Sequence, residues 1–339
     1  MPASASMTLA PALTGADTLI PPDQIINGGA LLAAIAADLA AHPDARSVRA
    51  TAVRHLAEAK AAATAALSAA FLDRPTDARL LVHGQAYLTD VLVITVLKVA
   101  CTYLHPLANP TESERIAVLA VGGFGRAEMA PHSDVDLLFL TPWKTTPWAE
   151  SVIESMLYML WDLKLKVGHA SRTVKDCIRL GREDITIRTA LLEHRYIAGH
   201  APLAEELDKK LWSDLFRNSG PEFIEAKLAE RAERHKRQGG QRYVLEPNVK
   251  EAKGGLRDLQ TLYWIGKYLH RVPSAAGLVG AGLLTREEYD TFERAENFLW
   301  AARCHLHYIT NRAMDQLTFD LQVEVAARMG YRDSAGRRA

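Results

Sequence analysis

The first third of the chain has the apolar pattern of helices. From about Asn27 to His105, apolar residues recur every three or four positions, as in "VRATAVRHLAEAKAAATAALSAAFL", which predicts packed helices. The stretch "VLVITVLKVACTYL" follows Asp90 and contains Lys98. It is too short and too charged to span a bilayer, so we predict a buried helix and no membrane partner. Residues 1–26 lack the pattern and are rich in Pro, Ala and Ser, which favours a mobile lead-in.

The pattern changes after "HPLANPTESER", a loop whose capping signal places a domain boundary near Ser113. The short apolar runs "IAVLAVGGF" and "DVDLLFLT" predict buried strands, and "KVGHASRTV" and "LLEHRYIAG" predict two more. After Gly199 the helical pattern returns, interrupted by the loop "GGQRYVLEPNVKEAKGGLRD". We therefore expect an α+β protein with an N-terminal helical segment (27–110), a core containing a small mixed sheet (111–200) and a helical domain (201–339).

Composition narrows the class of protein only slightly. Lys plus Arg and Asp plus Glu both total 40, and 48% of the residues are hydrophobic. The chain can therefore bury a substantial core, while its net charge gives no reason to expect a nucleic-acid or membrane partner. The three cysteines are far apart, which fits a reducing compartment better than a disulfide framework, so we expect a cytoplasmic protein.

The strongest chemical signal is the stretch "VGGFGRAEMAPHSDVDLLFL" from Val121. Alternate residues of a strand share a face, so Asp134 and Asp136 would lie on one side with Val135 on the other. Two adjacent carboxylates repel each other unless they bind a proton or a cation, and their hard oxygens suit Mg²⁺ that also holds phosphates. This pair predicts a metal-dependent phosphoryl or nucleotidyl transfer site.

The residues around the pair fit a triphosphate. Gly122 and Gly123 allow close approach of the backbone N–H groups to phosphate, Ser133 adds a hydroxyl, and Arg126 adds a planar cation. The stretch lacks the Lys-Ser/Thr of a P-loop and the third glycine of a dinucleotide fingerprint. The alternative interpretation is a glycine-rich turn between two strands with solvated aspartates, which explains each feature singly but not their combination.

The combined stretch "GGFGRAEMAPHSDVDLLFL" resembles the nucleotidyltransferase signature of the DNA polymerase β superfamily, in the form found in protein-PII uridylyltransferases. The stretch "LEPNVKEAKGGLRDLQTLYWI" from Leu245 resembles the second hallmark of that family. The resemblance implies a polymerase β-like fold and transfer of UMP from UTP to a tyrosine of the PII nitrogen-signalling protein, with release of pyrophosphate and with Mg²⁺ or Mn²⁺ as cofactor.

The family is bacterial and bifunctional, and an HD-type metal domain followed by two ACT domains removes UMP again. The sequence contains no His-Asp doublet. By resemblance, the chain is expected to correspond to the N-terminal transferase region, with the HD and ACT domains lying beyond Ala339.

Members of the superfamily commonly use a third carboxylate, and Glu193 in "ALLEHRYIAG" is our candidate. We expect it on a strand among apolar residues, where an unpaired carboxylate would be costly, and we assign it to the metal and to deprotonation of the attacking hydroxyl. The alternative is an ion pair between Glu193 and Arg195 on one strand face. Asp162 and Asp184 are weaker candidates because both lie in helical contexts.

Lys253 and Arg257 lie in the glycine-containing loop of the second stretch, with Asn248 a few residues earlier. Backbone N–H groups and cations at the start of a helix can bind phosphate, so both basic residues are candidate nucleotide ligands. The alternative is a capped turn in which Asp258 neutralises Arg257.

Two further features favour structural interpretations. The basic run "RAERHKRQGGQR" from Arg231 is more often a solvated helix end than a nucleic-acid site. His305, His307 and Cys304 are spaced so that a helix would spread them around its axis, which favours ordinary histidines over metal ligands.

Two alternative functions stay open at this point. One is another nucleotidyltransferase, which would adenylylate a protein or extend an RNA. The other is a catalytically silent module that binds nucleotide for regulation.

Overall fold

The computed structural model describes residues 18–41, 45–240 and 244–334. Most of the predicted lead-in, residues 1–17, lies outside these ranges. Its described part, residues 18–26, contains a short helix and buries the side chains of Leu19, Ile25 and Ile26, so this portion packs against the rest of its unit rather than extending freely.

The described residues form helices and four strands in the following order: α1 (Pro22–Ile25), α2 (Gly28–Ala41), α3 (Ala45–Asp73), α4 (Ala78–Val99), β1 (Ala117–Ala120), α5 (Gly122–Gly125), β2 (Val135–Leu140), α6 (Pro147–Asp162), β3 (Val167–Arg172), α7 (Val174–Glu183), α8 (Ile185–Leu192), β4 (Arg195–Gly199), α9 (Ala201–Lys210), α10 (Gly220–Arg237), α11 (Leu256–His270), α12 (Gly277–Gly280), α13 (Arg286–Thr310) and α14 (Phe319–Arg328). One turn of π-helix, Ala100–Leu104, extends α4, and another, Leu211–Leu215, follows α9. The predicted α+β class is confirmed.

The chain forms two compact units. The first runs to Ala70 and continues through Val82–Met129 and Ser133–Asp214, and the second takes Phe71–Leu81, Ala130–His132 and the chain from Leu215. Both the N-terminal helices and the sheet lie within the first unit, so the predicted boundary at residue 110 does not separate compact units.

A four-stranded mixed sheet of order β3-β2-β1-β4 forms the centre of the first unit. β1 is antiparallel to both of its neighbours, while β2 and β3 are parallel and are connected through α6. All four residues of β1 and the last four of β2 are buried. A strand that is buried on both faces has a continuous apolar sequence. The runs "AVLA" and "LLFL" therefore predicted these two strands.

The predicted buried helix is longer than the sequence pattern suggested. With its π-helical extension it covers Ala78–Leu104, and by length and composition it could cross a membrane, but 78% of its most apolar window is buried inside the protein. Leu92, Val93 and Val96 are each at most 1% exposed, so its role as a core helix is confirmed. Pro22–Ala41 also passes the test of length and composition, with 28% of its window buried.

The second unit is helical around an aromatic core. Phe223 of α10 and Tyr268 of α11 stack with ring centroids 3.9 Å apart, and Trp264 and Trp300 are almost fully buried. The C-terminal part of this unit begins near Leu215, whereas the expected helical domain began at residue 201. The reason is that α9 contacts β1 and β4 and so belongs with the sheet.

Candidate active site

The two aspartates lie where β2 begins. Asp134 is exposed and directly precedes the strand, Val135 is buried, and Asp136 is half-buried as the second strand residue. The backbone continues the ladder here, since the Val121 N–H donates to the Asp136 carbonyl at 3.1 Å. The alternation places Asp134 and Asp136 on the same face of the chain, as the pattern indicated.

Two glycines make room for the Asp136 carboxylate. A methyl group built on Gly168 would lie 2.5 Å from Asp136 Oδ1, and one built on Gly122 would lie 3.2 Å from Oδ2. Gly168 is the strand partner of Asp136 in the parallel β2–β3 pair. Gly122 has a φ of +60°, which side chains with a Cβ rarely adopt. A larger residue at Gly168 would therefore displace the carboxylate, and at Gly122 it would strain the backbone.

The glycine turn is a single helical turn, α5, closed by its own backbone. The Gly125 N–H donates to Val121, the Arg126 N–H to Gly122 and the Glu128 N–H to Gly123, at 2.9 to 3.1 Å. The first N–H groups of any helix have no intrahelical acceptor. In this turn those groups belong to Gly122 and Gly123, the two residues predicted to meet phosphate.

Arg126 is buried and paired with two carboxylates. Its side chain is 8% exposed, its Nε donates to Glu128 at 2.6 Å, and its Nη1 donates to Glu193. Burial would lower the pKa of Arg126, but the two carboxylates raise it well above its ordinary value. Through these two ion pairs Arg126 links the glycine turn to Glu193, and its contact with phosphate stays a prediction.

The prediction for Glu193 is corrected in two respects. Glu193 directly follows α8 and precedes β4, so it does not lie on a strand, and its 3% exposed side chain pairs with Arg126 rather than with Arg195. Its backbone carbonyl also lies against the Cα of Gly125, leaving no space there for a Cβ. Glu193 is thus held in a buried ion pair with Arg126, and its assignment to the metal and to deprotonation of the attacking hydroxyl stays a prediction.

Arg195 instead connects the turn to the N-terminal helices. It forms a bidentate pair with Asp90 of α4 at 2.7 and 3.0 Å and donates to the Phe124 and Gly125 carbonyls at 3.0 and 3.3 Å. Burial raises the pKa of Asp90 and Arg195 opposes that rise. One guanidinium thus links two carbonyls of the turn to Asp90 of the N-terminal helical segment, and all of these residues lie in the first unit.

The residues present fit a divalent cation held by two carboxylates. In the described part of the chain, no three His, Cys, Asp or Glu side chains converge into a metal-binding group. The space left by Gly122 and Gly168 accommodates the Asp136 carboxylate near the start of β2, two residues after Asp134. Mg²⁺ is usually bound through one or two carboxylates together with water and substrate phosphates, so a site of this size is sufficient for Mg²⁺.

The second hallmark stretch lies in the other unit. Asn248 caps a turn by accepting from the Lys250 and Glu251 N–H groups at 3.1 and 2.8 Å. Lys253 is exposed and has no ion pair within the described ranges. Arg257 donates to Gln260 at 2.9 Å and lies over the ring of Trp264. Lys253 therefore stays a candidate ligand, while Arg257 already has partners in this unit.

Asp258 does not neutralise Arg257. Its carboxylate instead binds Arg231, Arg234 and His235 of α10 and accepts the Gly254 N–H at 2.9 Å. Burial would raise the pKa of Asp258, but these partners lower it overall. Three basic residues of the predicted run thus bind one aspartate. The last two residues of the run, Gln241 and Arg242, lie outside the described residues.

Comparison with known proteins identifies relatives that match most of the chain. The profile of the family described as GlnD PII-uridylyltransferase matches residues 222–339. A bifunctional uridylyltransferase/uridylyl-removing enzyme from Cereibacter sphaeroides is 74% identical over 322 residues, covering 94% of this chain and 35% of the relative. A protein of the same name from Ruegeria pomeroyi is 63% identical, covering 91% of this chain and 34% of the relative.

The resemblance to the PII-uridylyltransferases is confirmed. The chain spans about a third of the length of these curated relatives. The family profile matches only the region of the second hallmark stretch, whereas the full-length relatives extend the similarity over the aspartate and glycine motif as well.

Sequence reasoning missed Gly168 and the pair formed by Asp90 and Arg195. An isolated glycine inside a predicted strand signals close approach of another group, and Gly168 in "KVGHASRTV" carries that signal. Its partner was not evident because β2 and β3 pair only after the crossover through α6. The pair joins residues 105 positions apart, and no local pattern reports such a contact.

Proposed function

We propose that the chain is a nucleotidyltransferase that transfers UMP from UTP to a tyrosine hydroxyl of the PII signal protein and releases pyrophosphate. The observation that carries the proposal is the pair Asp134 and Asp136 at the start of β2, with Gly122 and Gly168 leaving space for the second carboxylate. The names of the relatives, which include uridylyltransferase, support the same reaction. The arrangement of a short mixed sheet with this motif at a strand end supports a polymerase β-like fold.

In this proposal the chain's own residues bind and orient the nucleotide. Asp134 and Asp136 would hold Mg²⁺, or Mn²⁺ in its place, which when bound would neutralise charge on the phosphates. The N–H groups of Gly122 and Gly123 and the Ser133 hydroxyl bind phosphate oxygens. The tyrosine oxygen attacks the α-phosphorus in line, the bond from the α-phosphorus to the pyrophosphate oxygen breaks, and the hydroxyl proton passes to water. Positioning and charge neutralisation then provide most of the catalysis.

Arg126 and Arg195 act as positioning residues in this proposal. The N–H groups of the glycine turn must keep their orientation toward the phosphates when the triphosphate binds next to the two aspartates. Arg126 fixes the turn through Glu128 and Glu193, and Arg195 fixes it through two carbonyls. A preorganised turn loses little entropy when the nucleotide binds. Lys253 and Arg257 remain candidate nucleotide ligands.

The test is transfer of label from α-labelled UTP to a PII protein in the presence of Mg²⁺, with ATP, CTP and GTP in parallel. The matched control is PII with its acceptor tyrosine replaced by Phe, which should receive no label. Preferential labelling from ATP would instead indicate an adenylyltransferase. A rise in Tm with UTP and Mg²⁺ but no transfer to any acceptor would indicate a regulatory nucleotide-binding module.

A further inference from the structure

The segment that leads into the aspartate pair is anchored in the second unit. By its contacts, Ala130–His132 groups with that unit, whereas the chain from Ser133 groups with the first. His132 precedes Asp134 by only two residues. A contact that fixes His132 therefore restricts the backbone from which the first aspartate extends.

His307 provides such a contact. The backbone N–H of His132 donates to His307 Nδ1 at 3.2 Å, and the two rings are 5.9 Å apart. His307 lies in α13 and is completely buried. Because Nδ1 accepts a hydrogen bond, the proton of the neutral ring is on Nε2. Burial lowers the pKa of His307, which favours this neutral form.

Asp315 fixes the tautomer of His307 and also contacts the second hallmark stretch. Its Oδ1 faces His307 Nε2 at 3.3 Å and accepts from Arg303 Nε at 2.7 Å. Its backbone carbonyl accepts the Val249 N–H at 2.8 Å. A second backbone bond, from the Leu317 N–H to the Pro247 carbonyl at 2.9 Å, reinforces this contact. Asp315 is thus shared between His307 and the loop of the second motif.

His305 shows what an ordinary buried histidine looks like on the same helix. It is also completely buried, its Nε2 lies 2.9 Å from the Pro75 carbonyl, and its ring is 4.6 Å from that of Phe71. Neither contact involves the 130–132 segment or the second motif. His307 differs because each of its nitrogens contacts a residue tied to a motif-bearing loop.

We propose that His307, oriented by Asp315, is a positioning residue that holds the segment 130–132 in place for the aspartate pair and links it to the loop around Val249. The inference rests on the proposed function insofar as Asp134 and Asp136 bind the metal. The hydrogen bond itself can be tested without any assumption about the reaction.

Two substitutions at His307 separate its two contacts. The side-chain oxygen of Asn can replace Nδ1 as the acceptor for the His132 N–H, whereas the amide of Gln can replace Nε2 as the donor to Asp315. His307→Asn should therefore preserve the anchor and His307→Gln should remove it. The same two substitutions at His305 provide matched controls for the loss of a buried imidazole.

The first measurement is hydrogen exchange of the His132 amide in the full chain. We expect exchange in His307→Gln to be about tenfold faster, the scale for loss of one hydrogen bond, with nearly unchanged exchange in His307→Asn and in both His305 variants. Equal exchange in the two His307 variants would overturn the proposal. So would an acceleration spread evenly over the second unit, because it would show a general loss of packing.

The second measurement is the Mg²⁺ concentration that gives half-maximal transfer. His307→Gln should raise it about tenfold, the lower end of the range for partners outside the first ligand shell, while kcat at saturating Mg²⁺ changes much less. An unchanged Mg²⁺ requirement in a variant with a released His132 amide would overturn the link to the aspartates. Absence of transfer by the unaltered chain would refute the proposed function alone, since the exchange measurement still decides whether His307 anchors the segment.

Discussion

Asp136 and Glu193 both contact the glycine turn, but their surroundings are opposite. Asp136 lies beside Gly122 and Gly168, which contribute backbone and space. Glu193 is buried against Arg126, which contributes a compensating charge. Two carboxylates of similar chemistry are thus used differently. One is kept beside an exposed second aspartate, where a cation can join them, and the other stabilises the turn that surrounds the site.

The largest effect is expected from changes to Asp134 and Asp136, the two aspartates at the start of β2. Replacing Asp134 and Asp136 together with Asn should abolish transfer, because the ligand charge is lost at almost constant volume. Since Asp134 is exposed and Asp136 is half-buried, the Tm should change little. Labelled UTP and thermal melting measure the two quantities. Turnover in the double variant would show that this pair does not bind the catalytic metal.

The second prediction concerns Glu193, the carboxylate that is buried against Arg126. Glu193→Gln should lower the free energy of unfolding by about 3 kcal/mol, the scale for breaking a buried ion pair, since Arg126 and Glu193 are 8% and 3% exposed. The rate of transfer per folded molecule should fall by much less than the roughly 10²–10⁴-fold that loss of a general base causes. Urea unfolding and single-turnover kinetics measure these effects.

Glu128→Gln is the matched control for that substitution, because Glu128 binds the same guanidinium at 19% exposure and should cost less stability. If Glu193→Gln instead leaves stability intact and removes activity, Glu193 has the catalytic role that the sequence first suggested, and the contrast with Asp136 fails.

The third prediction tests the space around Asp136. Gly168→Ala should displace the carboxylate, because the added methyl would lie 2.5 Å from Oδ1. We expect the apparent affinity for Mg²⁺ to fall about 10- to 100-fold, as for other changes next to a metal ligand. Gly280→Ala is the control, since nothing lies within 4 Å of a methyl group there. Normal Mg²⁺ dependence in Gly168→Ala would mean that the glycine is not needed for the site.

Most of the fold was predictable because its signals are local. The runs "AVLA" and "VDLLFL" are apolar enough to specify buried strands, and the spacing of Asp134 and Asp136 fixes their common face. The partners of Arg126 and Glu193 were not predictable, because they are 67 residues apart in sequence and meet only after α8 places Glu193 beside the turn. For the same reason, Glu193 lacks an evident partner in its own segment of sequence but pairs with the distant Arg126 in the structure.

The smallest effect is expected at an exposed carboxylate that sequence reasoning also considered. Asp162 ends α6 and pairs with Arg49 at 2.7 Å, and both side chains are 43% exposed. Exposed pairs of this kind contribute less than about 1 kcal/mol, and salt screens them further. Asp162→Asn should therefore change the Tm only slightly and leave both transfer and its Mg²⁺ dependence unaltered. Parallel melting curves at low and high salt should show that the small difference from the unaltered chain shrinks as salt increases. A large loss of transfer in Asp162→Asn would mean that carboxylates other than Asp134 and Asp136 also take part in the reaction. The distinction between Asp136 and the carboxylates held in ion pairs would then no longer hold.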